Sequence, residues 1–503
     1  MARRFAFVFP MASGHMNPSL PLARRLVSLG HQVHYISREQ MREAIEDTGA
    51  TFHSDMEEMP ELYEGRTPDL FAALNDLRIE FGLEDDPYMI AFTKLKEICL
   101  EMMMPGLLRW LARIRAEAVV CCPLMNREAS LGAQVLRLPC ICLLTTAGPG
   151  AMPIAMADML KTFNITLEQC MEERANFQPL LDSLQRLREK YGVKVELTDD
   201  MWPMGLSAAF CESKLTLVTT AEFLSDPLPQ DLKKLYDAAG CTFAYVGPLL
   251  DKAGAKRAAG HKFELSDGRA EAAEPAADVV AMLRAAKAQG RRVVYASMGT
   301  VITGDSPEMG WHDRIKKDGV PQGLTGKELC QAAWKGLFDA LGTEGGPLLL
   351  VALGPQSDAL EDLEVPANAF CLPVMPQVDL LKSGVDLFLT HGGQNSFMEA
   401  LSSGTPLVVC PGFADQPINA QKAVDLGVGL QVPRPECRME DASREAAKYQ
   451  AATAAAVAAV LAELSFLQKA RGLEEELKSA GGVAKAVDLI LSTLDHPHKL
   501  GGA

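Results

Sequence analysis

The chain has 503 residues, 48% hydrophobic and 23% charged, which is a globular composition and not a disordered one. That length exceeds a single hydrophobic core and predicts two domains of ordinary size. A formal charge of −16, from 49 basic and 65 acidic residues, argues against a general nucleic-acid binder; no apolar run reaches the length of a membrane-spanning helix.

Twelve Cys are scattered without CxxC pairs or metal-type His/Cys spacing, several in apolar runs such as LPCICLL, where they act as small hydrophobes. A reduced, cytoplasmic chain fits this better than a disulfide framework. The apolar run at residues 5–10 is short and flows into a loop, so it reads as a first strand and not as a signal peptide.

In chain order, that strand leads into MASGHMNPSLPLARRLVSLG, residues 11–30. Pro18 suits the first turn of a helix and Gly30 its end. His15 then projects near the carboxyl end of a central strand, where open α/β sheets bind ligands. Proximity to a helix N-terminus should keep the imidazole neutral, as a general base requires, although a loop His bonded to backbone is the plainer reading. His31 and His34 read as ordinary edge residues of the next strand, 32–36. Further strands are expected at 118–121, 140–145, 215–219 and 244–246, and in the second half at 292–297, 347–352, 369–372, 387–390 and 406–410. Continuous Val/Leu/Ile runs separated by helices predict parallel sheets covered on both faces. The fold class is therefore α/β, with two doubly wound Rossmann-like domains.

The first domain is assigned to residues 1–250 and the second to 279–480. Residues 251–278, rich in Ala, Gly and charge, form the linker region, and 481–503 a C-terminal helix and tail that can return to the first domain. Residues 303–326 read as a flexible flap or an inert surface insertion. The Met-rich segments 99–108 and 151–160 fit either an adaptable apolar pocket or amphipathic core helices.

The densest chemistry lies in FLTHGGQNSFMEALSSGTPLVVCPGFADQ, residues 388–416. His391 follows a strand, and Gly392-Gly393 let a ligand approach the backbone. Asn395 and Ser396 stand where a helix begins, so free amides and the positive dipole end can receive phosphate oxygens. Glu399 lies one turn on; Ser396-Phe-Met-Glu399 is also a capping box, a helix-start device without catalytic content. In YASMGT, residues 295–300, a strand ends in groups that can serve the same phosphates.

These motifs resemble those of the UDP-glycosyltransferases, two-domain inverting sugar transferases. The resemblance runs from MPQVDLL (375–381) through THGGQNSFMEAL to GTPLVVCPGFADQPINA (404–420). It extends to GHMNP around His15, to LTLVTTAEFLSDPLP and YVGPLL before the linker, and to YASMGT. It implies the GT-B architecture, two Rossmann-like domains facing across a cleft. His15 would be the base that deprotonates the acceptor, within a loop that includes Ser13, Gly14 and Asn17. His391, Asn395 and Ser396 would hold the diphosphate, assisted by Gly393, Thr300, Ser297 and Gly299. Glu399 would bind the ribose, Gln377 with Met375 would lie beside the uracil, and Asp415 and Gln416 would read the sugar hydroxyls. No metal and no cofactor would be needed beyond the UDP-sugar co-substrate, because protein dipoles stabilise the leaving diphosphate.

Three positions depart from the family pattern. Val374 stands where many relatives stack a Trp on the uracil, which leaves thymidine donors open. Gln394 replaces the plant-type Trp beside the Asn. Cys121 or Cys122 stands where an Asp usually polarises the catalytic His. Either another acid reaches His15, or the acceptor is acidic enough to need little help, or catalysis has been lost. The expected function is transfer of a hexose, glucose by preference, from UDP to a hydroxyl of a lipophilic small molecule. No nucleic acid or membrane span is expected, and monomer and dimer stay open. A sugar-nucleotide epimerase or hydrolase, and a non-catalytic sugar-nucleotide binding protein, are the alternatives.

Overall fold

The computed structural model describes residues 2–69, 71–201, 206–258, 279–306, 308–317 and 319–495. The chain divides into two compact units, Met1–Ala258 with Ala480–Ala503, and Ala259–Ser479. The expected linker at 251–278 lies outside the described residues from 259 onward. Residues 251–258 pack on the first unit, where Asp251 accepts a hydrogen bond from Arg24 at 3.0 Å.

The first unit is built on seven strands: β1 Arg4–Val8, β2 Gln32–Ser37, β3 Thr51–Ser54, β4 Ala118–Cys121, β5 Cys140–Leu144, β6 Leu215–Val218 and β7 Phe243–Tyr245. They pair in parallel in the order β3-β2-β1-β4-β5-β6-β7. β4 and β5 are buried along their whole length, as strands covered by helices on both faces must be. The strand order reverses between β1 and β4, so their carboxyl ends form the switch point at which open sheets of this kind bind ligands. His15 and Cys122 both follow these two strands.

β3 was not legible in the sequence. Its TFHS is short and half polar, and it forms because β2 offers a partner. Its presence corrects the reading of His34 as an edge residue. β2 lies inside the sheet, and His34 Nδ1 sits 3.2 Å from His53 Nε2 on β3. The last helix, Gly482–Asp495, belongs to this unit. Ala486, Val487 and Ile490 join the core that contains Phe5 and Phe7, and Gly482 donates to the Val246 carbonyl at 2.7 Å.

The second unit has a six-stranded parallel sheet of β8 Val293–Ser297, β11 Leu348–Ala352, β12 Ala369–Leu372, β13 Leu387–Thr390, β14 Leu407–Val409 and β15 Gly429–Gln431. An antiparallel pair, β9 Ile315–Lys317 with β10 Val320–Gln322, stands apart from it. The sheet order is β12-β11-β8-β13-β14-β15, which puts its switch point between β8 and β13.

The 303–326 segment is neither a loose flap nor an inert insertion. Trp311 and Leu324 are fully buried in the core that also holds Trp334, and Trp311 Nε1 donates to Asp358 at 2.8 Å. Thr325 and Glu328 close a capping box that starts the helix Gly326–Leu341. Its Gly, Pro and charged residues hid this, because only a few widely spaced apolar side chains anchor it.

Of the two Met-rich segments, the first lies in the helix Tyr88–Arg113, where Met104 is core. The second is the helix Ala151–Phe163, in which only the end residues Ala151 and Phe163 are buried. Met152 and Met156 are partly covered, and Ile154 is exposed. That helix is therefore not a core helix of this unit. Among the described residues, no single helix is long and apolar enough to cross a membrane.

Candidate active site

In the first unit the chain leaves β1 and makes a short helical turn, Ser13–Met16, which carries His15. His15 Nδ1 lies 3.0 Å from Thr145 Oγ1 and 3.3 Å from Cys122 Sγ. Thr145 follows β5, and Cys122 follows β4, its amide donating to the Val8 carbonyl at 3.2 Å. Three strand ends thus converge on one imidazole. Burial alone pulls the His15 pKa down to about 4, so the ring is neutral at physiological pH. His15 sits in the last turn of its own short helix, just before the helix Ser19–Ser28, and desolvation keeps the ring neutral. Burial also pushes the Cys122 thiol up to about 12, so it remains a thiol.

The Cys121-or-Cys122 ambiguity is resolved by the pleat. Cys122 faces His15, whereas Cys121 points to the opposite face of the sheet, 3.7 Å from Cys140. With Cys142 these two form a buried cluster of three thiols. Thr145 was missed in the sequence, where a Thr closing an apolar run carries no signal of what stands on the neighbouring strand. Ser13 and Gly14 lie in the His15 turn, part-exposed and exposed. Asn17 is tied elsewhere. Its amide group donates to the Ala258 carbonyl at 3.0 Å and accepts from the Ala258 amide at 2.9 Å, which anchors the departing chain.

In the second unit His391 follows β13, and Gly299 follows the neighbouring β8. A Cβ on Gly299 would lie 2.5 Å from His391 Nε2, and so would one on Gly393. The imidazole is gripped between two backbones that only glycine permits. Gly299 adds a φ of +80°, the left-handed region that favours glycine. Burial lowers the His391 pKa to about 4, opposed in part by a backbone hydrogen bond at Ser297. Among the described residues His391 Nδ1 and Gln394 Oε1 are buried without a hydrogen-bond partner.

The helix Gln394–Leu401 begins immediately after this clamp, with Gly393 as its N-cap and no capping side chain. The capping-box reading of Ser396 and Glu399 is therefore corrected, because both lie inside the helix. Instead Gln377 Nε2 donates to Glu399 Oε2 at 2.6 Å and to Ser396 Oγ at 3.1 Å, and Tyr295 donates its hydroxyl to Gln377 Oε1 at 3.2 Å. Not every helix-start amide is available to a ligand, since the Gln394 amide donates to Asp415 Oδ2 at 3.0 Å. Gln416 Oε1 accepts from the Gly412 amide at 2.8 Å, and Asn419 ties the Gly392 carbonyl at 2.9 Å. Met375 is buried, Ser297, Thr300 and Asn395 are part-exposed, and Val374 is 56% exposed. A helix N-terminus flanked by glycines, a neutral imidazole and a buried carboxylate one turn inside is suited to a phosphate group next to a diol.

The family described as UDP-glucoronosyl and UDP-glucosyl transferase matches residues 340–447, the stretch that contains Gln377, His391, Gly393 and Gln416. A chain-wide relative is the uncharacterized UDP-glucosyltransferase YdhE of Bacillus subtilis, 24% identical over 432 residues, 85% of each chain. Over residues 340–447 the chain is similar to the UDP-glycosyltransferase family. The NDP-glycosyltransferase YjiC of Bacillus subtilis is 33% identical over 129 residues, 26% of this chain; the matched stretch spans 29% of that relative's own length. The glycotransferase of kitacinnamycin shares the GT-B fold with a TM-score of 0.63 at 21% identity, over 97% of this chain and 99% of that one. That likeness concerns the fold alone. The family match covers the donor-side motifs and leaves His15 and Tyr295–Thr300 outside it.

Proposed function

We propose that this chain is an inverting glycosyltransferase that moves a hexose, glucose by preference, from a UDP-sugar to a hydroxyl of a lipophilic small molecule, with no resident cofactor. The observation that carries the reading is the clamped, neutral His391 at the start of the helix Gln394–Leu401, beside the Gln377–Glu399 pair. The diphosphate would lie at that helix start and the ribose at Glu399, with Asp415 and Gln416 near the sugar. The names of the related glucosyltransferases support UDP and glucose. The half-covered apolar side chains of the helix Ala151–Phe163 support a lipophilic acceptor.

In the reaction the acceptor oxygen attacks the anomeric carbon and the bond from that carbon to the diphosphate oxygen breaks, which inverts the centre. His15 takes the acceptor proton, and the helix N-terminus stabilises the charge arriving on the diphosphate.

Mass spectrometry of the protein incubated with UDP-glucose and a mixed phenol, sterol and macrolide panel tests this. A hexosylated product is expected, lost in His15→Ala with UDP binding intact. Full turnover by His15→Ala would remove the base assignment, and rapid product without an acceptor would favour an epimerase or hydrolase. Tight UDP-sugar binding without transfer would instead make the chain a binding protein, a reading that the uncharged neighbours of His15 favour.

A further inference from the structure

The surroundings of His15 bear on which acceptors it could serve, given the transferase reading with His15 as base. Its Nδ1 faces the Thr145 hydroxyl at 3.0 Å and the Cys122 thiol at 3.3 Å. Both partners are buried, and both are uncharged. Their strands are rigid elements of the parallel sheet, so the ring is held at two points. With a proton on Nδ1 donated to the Thr145 oxygen, Nε2 keeps its lone pair for a substrate proton.

A carboxylate at Nδ1 would compensate the positive charge that appears when the ring takes that proton. A hydroxyl and a thiol offer only dipoles, which compensate that charge far less than a carboxylate would. No charged side chain contributes to the shift of His15, which comes from burial alone. The ring is therefore oriented but weakly basic. A weak base can assist only a proton that is already loosely held. A phenolic hydroxyl, with a pKa of about 10, is within reach, whereas aliphatic hydroxyls lie closer to water at about 15.7.

We propose that Thr145 and Cys122 are the positioning residues of His15 and that, being uncharged, they confine the acceptor to acidic hydroxyls of the phenol class and exclude aliphatic alcohols.

The test is transfer from UDP-glucose to a series of para-substituted phenols and to benzyl alcohols of matching shape, by wild type and variants. In wild type kcat/KM should fall steeply as acceptor pKa rises, with benzyl alcohol about 100-fold or more below phenol, the range in which general-base assistance operates. Thr145→Val should lower kcat about 10-fold or more with little change in KM, and Thr145→Ser should restore it. Cys122→Asp should bring benzyl alcohol to within about 10-fold of phenol by supplying the missing charge. A purely structural Cys122 would not change that ratio. If Cys122→Asp does not fold, the acceptor series and the two Thr145 variants still decide. Equal wild-type rates on phenol and benzyl alcohol, or wild-type kcat in Thr145→Val, would overturn the inference while leaving an inactive His15→Ala, and so the transferase reading, standing. Full activity of His15→Ala, or no product from any acceptor, would remove the reading on which the inference rests, and the inference with it.

Discussion

Gln377 donates its Nε2 hydrogen to the Glu399 carboxylate at 2.6 Å, joining two residues 22 positions apart. The same amide group bonds Ser396 and accepts from Tyr295, whose ring stacks on Phe388 at a centroid distance of 4.9 Å. Glu399 is nearly fully buried, so this bond both orients and compensates its charge. The resemblance had assigned Gln377 to the base and Glu399 to the ribose as separate contacts. Their direct bond makes them one device.

Gln377→Ala should therefore weaken UDP binding about 10-fold, and Glu399→Ala about 10- to 100-fold, as expected for hydrogen bonds to a charged group. Isothermal titration with UDP reads both. Unchanged affinity in Glu399→Ala would remove the ribose assignment.

The glycine clamp makes a second prediction. Gly393 has an ordinary φ of −57°, so Gly393→Ala introduces only the clash with His391. It should cost about 1–3 kcal/mol of stability by overpacking and weaken UDP binding more than 10-fold. Gly299→Ala adds a left-handed backbone penalty of about 1–2 kcal/mol and should be the less stable variant. Combining Gly393→Ala with His391→Ala should recover thermal stability but not UDP affinity, since the ring no longer has to move.

The low pKa of His15 sets the pH dependence. Above its ordinary value of 6.5 the ring is neutral whether folded or unfolded, and no stability is lost. As pH falls from 6.5 through about 4 the unfolded chain takes the proton first, so stability declines, and the loss is complete below about 4. The ring keeps some accessible surface, which limits the effect to about 2 kcal/mol. Unfolding of wild type and His15→Gln at pH 7 and pH 4.5 should show the variant gaining on wild type by about that amount at the lower pH. An acid limb of kcat/KM near pH 4, well below that of an ordinary histidine, is the matching kinetic result.

Trp311 tests the part played by the 303–326 segment. Its indole is buried beside Trp334 and bonded to Asp358, which also pairs with Lys327 at 2.7 Å. Trp311→Ala should cost about 3–5 kcal/mol and lower the unfolding transition of the second unit. Calorimetry of the full chain separates the outcomes, and an unchanged profile would make the segment an appendage.

By itself the sequence determined what short stretches can determine. Fully buried strands such as Ala118–Cys121 and Leu387–Thr390 were readable because parallel strands covered on both faces must be continuously apolar. The His391-Gly-Gly start of a helix was readable because strand, turn and helix lie within a dozen residues. Short polar strands such as Thr51–Ser54 and Gly429–Gln431 were not, since a neighbour's hydrogen bonds create them and periodicity does not. Only the tertiary structure decided what touches His15. Cys122 and Thr145 reach it across 107 and 130 positions of sequence, and the strand order that joins them follows from how the whole sheet packs. The same holds for the bond from Gln394 to Asp415, which occupies a helix amide that sequence alone would leave for phosphate. Local pattern reports which segments are buried. Which ends of those segments meet, and with what charge, is settled by packing between them.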